Sequence, residues 1–492
     1  MNWIWRLCYS HAYLLQQLWT LRLAFIMADL PYDLWIRVVF FLSREDVWNL
    51  RNVNRILFNI AMDDHYRFIS INFDLWQNDG HYVEHFRHLA WGFNRPCNFI
   101  MVLRFWAMYW LYREPHIANR IRKLSFRHFR WFNELEVKAS SKRTSFSLVK
   151  RRLIGSIRNE LKTVIDVIIQ FSRLSSLHVQ WSSSYDLRTF RRCMPPILHA
   201  CWGAFSGSLR SVSLDIPIEL LNEVAPKVVL RRLESLSLSF YALPGADNSE
   251  LLFSDAVRTN ILPFLNNHTR SLQTMELSLR TAGSWMHPSI FHGEQFDFGP
   301  LFKGLYYVPH LNSLALDITP STSISSVSRL LKAHANTLHT LAISAIDFHG
   351  DSLDQLLQEA LVPLPYLINL TINFDLSEGP ISSGTLNEYL KQYMPTLASL
   401  KLLRKLNQTG DILQMFKQNS GCFLGNSPLK NLNITIECLT PGILDLAAAG
   451  LPNLHTLSLS ICYFNTHHMN PRNEEYEVRF ALLPVFHPII SL

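Results

Sequence analysis

His81, Glu84 and His85 are the residues of this chain whose types and spacing come nearest to a catalytic set. On a helix, His81 and His85 would share one face and could hold a zinc ion through their imidazoles, with Glu84 as the base that activates a bound water. Such a site needs a third ligand and a catalytic domain around it, and the neighbouring sequence supplies neither. In a chain with 20 His, a short string of this kind arises by chance. No phosphate-binding glycine loop, dinucleotide fingerprint or G-x-S-x-G nucleophile elbow occurs. No catalytic residue, metal ligand or cofactor is therefore expected. Asn267 and Asn433 each open an N-x-T triplet. Asn433 falls on an expected strand, and both triplets read as chance.

The second feature with chemical potential is charge. The chain carries a net charge of +7, but residues 113–162 hold 14 Lys/Arg against four acids, a local balance of +10, which leaves the remainder at −3. Lys142-Arg143 and Lys150-Arg151-Arg152 are the densest points. A solvated loop face is the plain reading of such a run. The functional one is a site for an acidic or phosphorylated partner, centred on Lys150, Arg151 and Arg152. No nucleic-acid module accompanies the run, so nucleic acid is not expected as a partner.

These features must sit on a large folded body. The chain has 492 residues, 48% hydrophobic and 17% charged, which excludes disorder and allows about three average domains or one long repeat array. Seven Cys, an odd number without a C-x-x-C pair, read as reduced thiols of an intracellular protein in the cytoplasm or nucleus. Residues 1–27 form an N-terminal extension rich in Trp and Leu. Arg6, His11, Gln16, Gln17 and Arg22 interrupt it, so no membrane span is expected. An amphipathic helix packed on the body, or a stretch upstream of a start at Met27, fits it better than a helix lying on a membrane surface.

Residues 28–72 read as a compact helical unit. Leu34, Val38 and Leu42 fall four apart and share one helix face; Pro31 suits a first helical turn. Ser43 followed by Asp46 predicts a second helix starting at Ser43, and Val47, Leu50, Val53 and Leu57 continue the apolar spacing. Three short amphipathic helices cannot bury all their apolar faces alone, so part of the surface needs a partner. Residues 73–120 follow as an aromatic helical connector, with Trp76, Trp91, Phe105, Trp106 and Trp110 spaced for burial.

From residue 121 to the C-terminus a phrase recurs: apolar-x-x-apolar-x-apolar. It occurs eleven times, beginning at Ile121, Leu174, Leu209, Leu233, Leu272, Leu311, Leu338, Leu367, Leu397, Leu429 and Leu454. From Leu311 onward the steps are 27, 29, 30, 32 and 25 residues. Each phrase predicts a short strand with alternating faces, and stacking would give the strands a shared core that no single repeat could build. Helical patterns lie between, at 325–334, 352–361, 385–393 and 412–417. The outward strand positions are small and polar, without the Trp, Tyr and Arg anchors that carry interface energy. The step from Leu272 to Leu311 is 39 residues and contains Trp285, Met286, Phe291, Phe296 and Phe298. Those apolar side chains are either tucked into the solenoid or offered to a substrate.

The leading Leu30-Pro31, the Leu34/Val38/Leu42 face, the Asp46-Val47 step and the Leu50/Val53 pair resemble an F-box. The recurring phrase resembles a leucine-rich repeat. Together they look like the F-box/leucine-rich-repeat proteins, similar to those of fungi. The fold this implies is an α/β solenoid: a three-helix F-box, a helical connector and an irregular leucine-rich-repeat horseshoe. The function it implies is that of a non-catalytic substrate receptor of an SCF-type cullin–RING ubiquitin ligase. The resemblance assigns Leu30, Pro31, Leu34, Val38, Leu42, Val47, Leu50, Val53 and Leu57 to the unit that binds a Skp-type adaptor, some at the interface and some in the unit's own core. Cullin is then a further partner and an unknown protein the substrate. The alternative is a repeat scaffold that uses the F-box for assembly without ubiquitination.

Overall fold

The computed structural model describes residues 32–52, 55–72, 114–127, 161–181, 187–226, 228–241, 249–279, 296–346, 348, 350–359, 362–375, 383–406, 428–436, 451, 453–461 and 476–481. They belong to two compact units, residues 1–127 with 141–178, and residues 128–140 with 179–492. His81, Glu84 and His85 lie outside the described residues, as do the basic triplet 150–152 and the expected helix at 412–417.

Unit 1 opens with α1 (Tyr32–Phe40), α2 (Arg44–Asn49), a 3-10 turn at Leu50–Asn52 and α3 (Arg55–Tyr66). Ser43 caps α2 as its spacing predicts. The Asp46 N–H donates to Ser43 Oγ at 3.1 Å, and the Ser43 hydroxyl donates to Asp46 Oδ2 at 2.6 Å. One residue after α3 the chain enters β1 (Phe68–Asn72), which pairs in parallel with β2 (Lys123–Arg127). The short helix α4 (Pro115–Ala118) precedes β2, and β3 (Ser176–Gln180) starts in this unit. The sequence reading begins the strand array at Ile121. The structure begins it at β1, because Tyr66, Ile69 and Ile71 already follow the phrase with a tyrosine in the first position.

Arg120 ties α3 to the turn before β2. Its guanidinium donates to Asn59 O at 3.0 Å, Asn59 Oδ1 at 2.9 Å and Asp63 Oδ1 at 2.6 Å. Removing it takes the charged partner from Asp63 and two donated hydrogen bonds from Asn59. Arg120→Ala is expected to lower the stability of unit 1 by about 1.5–3 kcal/mol. Arg120→Lys should recover little of this, since a point charge cannot span three acceptors. Faster amide exchange in α3 is the measurement that checks it.

Unit 2 repeats one plan. α5 (Leu187–Phe205) leads to β4 (Ser211–Pro217), then a short helix α6 (Leu221–Val224) and β5 (Ser235–Tyr241). Next come α7 (Ser249–Ala256), a π-helical turn (Val257–Ile261), α8 (Leu262–His268) and β6 (Thr274–Leu279). α9 (Gly299–Gly304), β7 (Ser313–Ile318), α10 (Ile324–Ala333) and β8 (Thr340–Ile346) follow. The series continues with α11 (Gly350–Glu359), β9 (Asn369–Asp375), α12 (Ser383–Tyr393), β10 (Ser399–Leu406), β11 (Asn431–Ile436) and β12 (Thr456–Ile461). Each strand from β4 to β11 pairs in parallel with the next, which makes unit 2 a strand–helix repeat solenoid. β13 (Tyr476–Ala481) turns back and pairs antiparallel with β12.

Every one of the eleven phrases carries a strand that starts at its third residue. The three apolar positions of each phrase are at most 5% exposed, so each leucine contributes about 1.5–3 kcal/mol of burial. The second residue of the phrase sets the register. Its carbonyl accepts from two N–H groups of the next strand: Arg210 O takes Glu234 and Ser235, and Asn312 O takes His339 and Thr340. The same fork recurs at Glu234, Gln273, His339, Ile368, Ala398 and Lys430, so the successive strands from β4 to β12 begin level with one another.

A polar ring four residues ahead of a phrase latches three of the return helices. His268 is hydrogen-bonded through Nδ1 to Phe264 O at 2.6 Å and accepts the Leu230 N–H on Nε2 at 2.8 Å. His334 repeats the arrangement with Leu330 O at 2.8 Å and the Val308 N–H at 3.0 Å. Tyr393 donates to Val362 O at 2.7 Å. A carbonyl on one side and an N–H on the other fix each imidazole as the neutral Nδ1–H tautomer. Burial accordingly holds both below the ordinary value of 6.5. The unfolded chain therefore takes up these protons first, and the stability they lend is full above pH 6.5 and lost as pH falls through the lower folded values. Thermal melting of the intact chain should fall between about pH 7.5 and about pH 5.5, and less steeply in His268→Asn/His334→Asn, which starts lower.

Candidate functional site

The helices of unit 1 form a small core of their own. Trp35, Val47, Leu57 and Ala61 are each at most 4% exposed. α1 and α2 both pack on α3. Trp48 is held between the Arg51 guanidinium, 4.4 Å from its ring centroid, and the stacked His65 ring at 4.3 Å, which fastens α2 and the 3-10 turn to α3.

This core divides the nine residues expected to bind an adaptor. Val47 and Leu57 are buried inside the unit and hold it together. Val38, Leu42 and Leu50 are half-buried, and Leu34 is 42% exposed. Leu30, Pro31 and Val53 lie outside the described residues. The inward side of α1 is Trp35, one position round from the Leu34/Val38 stripe and outside the nine. Ile36, Phe40 and Phe41, also outside the nine, stand 46%, 83% and 84% exposed. The adjacent pair Phe40-Phe41, which no helix period accommodates on one face, was the signal. α1 ends at Phe40, and the two rings pack edge to face at 5.6 Å with their outer surfaces in solvent.

The second candidate, the aromatic stretch before α9, resolves differently. Phe296 and Phe298 are 1% and 0% exposed. They sit against Phe253 at 5.2 and 5.1 Å, and Phe298 also meets Phe240 at 6.4 Å and Phe302 at 5.8 Å. The Thr319 hydroxyl donates to Phe296 O at 2.6 Å and pins the segment at the end of β7. These two rings are core of unit 2, and their expected place in a substrate-binding loop is corrected: large apolar rings beside a helix start were buried by the neighbouring repeats. Trp285, Met286 and Phe291 lie outside the described residues.

Among the described residues no group of three metal-ligating side chains converges, and no helix is long and apolar enough to cross a membrane. Cys201 is fully buried, and burial pushes its thiol up to about 12, so it packs as a small apolar residue.

No family model matches the chain, and no curated protein matches it. Among solved structures it is similar to the crystal structure of the yeast Rad7–Elc1 complex, at 13% identity and a TM-score of 0.41, over 95% of this chain and 94% of that one.

Proposed function

We propose that the chain is a non-catalytic receptor. On this reading its N-terminal helical unit docks a Skp-type adaptor of a cullin–RING ubiquitin ligase, and its repeat unit holds a substrate protein. The observation that carries this reading is the apolar surface of α1 and its exit. A unit that has already buried Trp35, Val47 and Leu57 leaves Leu34, Ile36, Phe40 and Phe41 in water. Side chains of that size are worth about 1.5–3 kcal/mol each when a partner covers them. Large exposed apolar side chains gathered in one short stretch mark a protein interface. The F-box resemblance of residues 30–61 names the class of partner. The chain itself performs no bond chemistry; its contribution is proximity, presenting a substrate lysine to a charged conjugating enzyme.

Affinity purification of the chain with and without residues 28–72 tests the reading. Adaptor and cullin should co-purify with the intact chain and vanish on truncation, while substrate candidates remain. Adaptor without cullin would favour a scaffold that assembles through the F-box without ubiquitination. Equal recovery of adaptor from both forms would exclude the assignment.

A further inference from the structure

Parts of the outward strand face of unit 2 are occupied with one another. The Ser239 and Ser278 hydroxyls share a hydrogen bond at 2.5 Å, Asn369 Nδ2 donates to Thr340 Oγ1 at 3.1 Å, and Asn373 Nδ2 donates to Ser344 Oγ at 3.2 Å. The residue types that carry binding energy lie elsewhere, on the edge where the level strands begin. Arg231 and Arg232 stand just ahead of the phrase of β5, and Arg270 just ahead of that of β6; all three are exposed. Glu234, the carboxylate beside them, is engaged by Arg210 at 3.3 Å. Among the described residues none of the three arginines has an acidic partner. Ahead of β7, Tyr306 and Tyr307 are 66% and 56% exposed, and at β9 Tyr366 and Ile368 are 55% and 40% exposed.

The tyrosines are held in place rather than left on a loose loop. Asn266 clamps the turn from both sides, donating to Gly304 O at 3.1 Å and accepting the Tyr306 N–H at 2.9 Å. His334 takes the Val308 N–H and stacks on Tyr307 at 5.4 Å. A Cβ on Gly304 would press on the end of the Leu262 side chain, so the turn packs closely against α8. Side chains fixed before a partner arrives lose little freedom on binding.

We infer that this edge, through Arg231, Arg232, Arg270, Tyr306, Tyr307 and Tyr366, docks an acidic segment of a protein partner, laid across the successive strands. The inference rests on the reading of unit 2 as the substrate-holding part. Strands lie about 4.8 Å apart, so β5 to β9 span about 19 Å, the reach of about six extended residues. Unpaired guanidiniums at one end select carboxylates. Tyr366, Ile368 and the exposed Val228 and Val229 suit the apolar side chains between them. A nucleic acid fits less well, because bases need open ring faces. Here one face of Tyr307 is taken by His334, and Tyr366 lies parallel to His339 at 6.3 Å.

The test is panning of a random peptide library, displayed on phage, against the full-length chain. Enriched peptides should combine Asp or Glu with apolar residues, and synthetic copies should bind less tightly as salt rises. Arg231→Glu/Arg232→Glu and, separately, Tyr306→Ser/Tyr366→Ser should each weaken that binding about tenfold or more with unchanged melting temperature. Absence of enrichment, enrichment without acidic residues, or binding indifferent to the charge reversal overturns the proposal. So does displacement of the peptide by an oligothymidylate that binds through the same arginines. Adaptor recovery measured on the same variants should stay normal. If even the wild type recovers no adaptor, the receptor reading fails while the peptide result still decides the edge.

Discussion

Phe298→Ala is expected to destabilise unit 2 by about 3–5 kcal/mol. Phe298 is fully buried and touches Phe240, Phe253 and Phe302, which belong to β5, α7 and α9. The cavity would therefore open between consecutive repeats rather than within one. Stability in a solenoid is a sum of repeat and nearest-neighbour terms, so the loss should be local. Hydrogen exchange should show β5, β6 and β7 losing protection well before β10 to β12. Chemical denaturation should split from one transition toward two. Phe298→Leu, which keeps most of the volume, should lose far less. Uniform loss of protection across all strands would mean that the repeats are coupled more tightly than nearest-neighbour packing allows.

Much of this architecture is legible in the sequence, because one phrase does the same physical work at each turn. Apolar side chains, mostly leucines, at the first, fourth and sixth positions are buried in each phrase, and the strand starts at the third residue every time. β1 escaped because Tyr66 takes the place of leucine in the first position. β13 escaped because it runs antiparallel and carries no such phrase. The latching rings His268, His334 and Tyr393 were invisible for a different reason. A lone histidine in a helix reads as surface until the N–H it accepts, 38 residues upstream for His268, is brought beside it. At the candidate site the residue types were readable, but their facing was not. The four-residue spacing of Leu34, Val38 and Leu42 describes a face without saying whether it turns inward. In a unit this small one tryptophan, Trp35, settles the roll of the helix. The rings of Phe296 and Phe298 were ambiguous in the same way, since an aromatic loop reads alike whether buried or offered.

The other large effect concerns binding. Phe40→Ser/Phe41→Ser should leave the fold intact, because the two side chains are 83% and 84% exposed and their ring contact is with each other. On the proposed receptor reading, adaptor affinity should fall at least about thirtyfold, since aromatic anchors buried in an interface are worth about 2 kcal/mol or more. Val47→Asp should also lose the adaptor, but by unfolding the helical unit, since it places a carboxylate in a site only 4% exposed. Circular dichroism separates the two: only the second variant should lose helical signal.

Titration calorimetry of the purified full-length chain with a purified Skp-type adaptor bears most directly on the docking role of the helical unit. The expected result is saturable binding at one adaptor per chain with a negative heat-capacity change from apolar burial, weakened at least about thirtyfold in Phe40→Ser/Phe41→Ser while its melting curve matches the wild type. Absence of binding by the folded wild-type chain, or equal affinity for the wild type and the double variant, would contradict it.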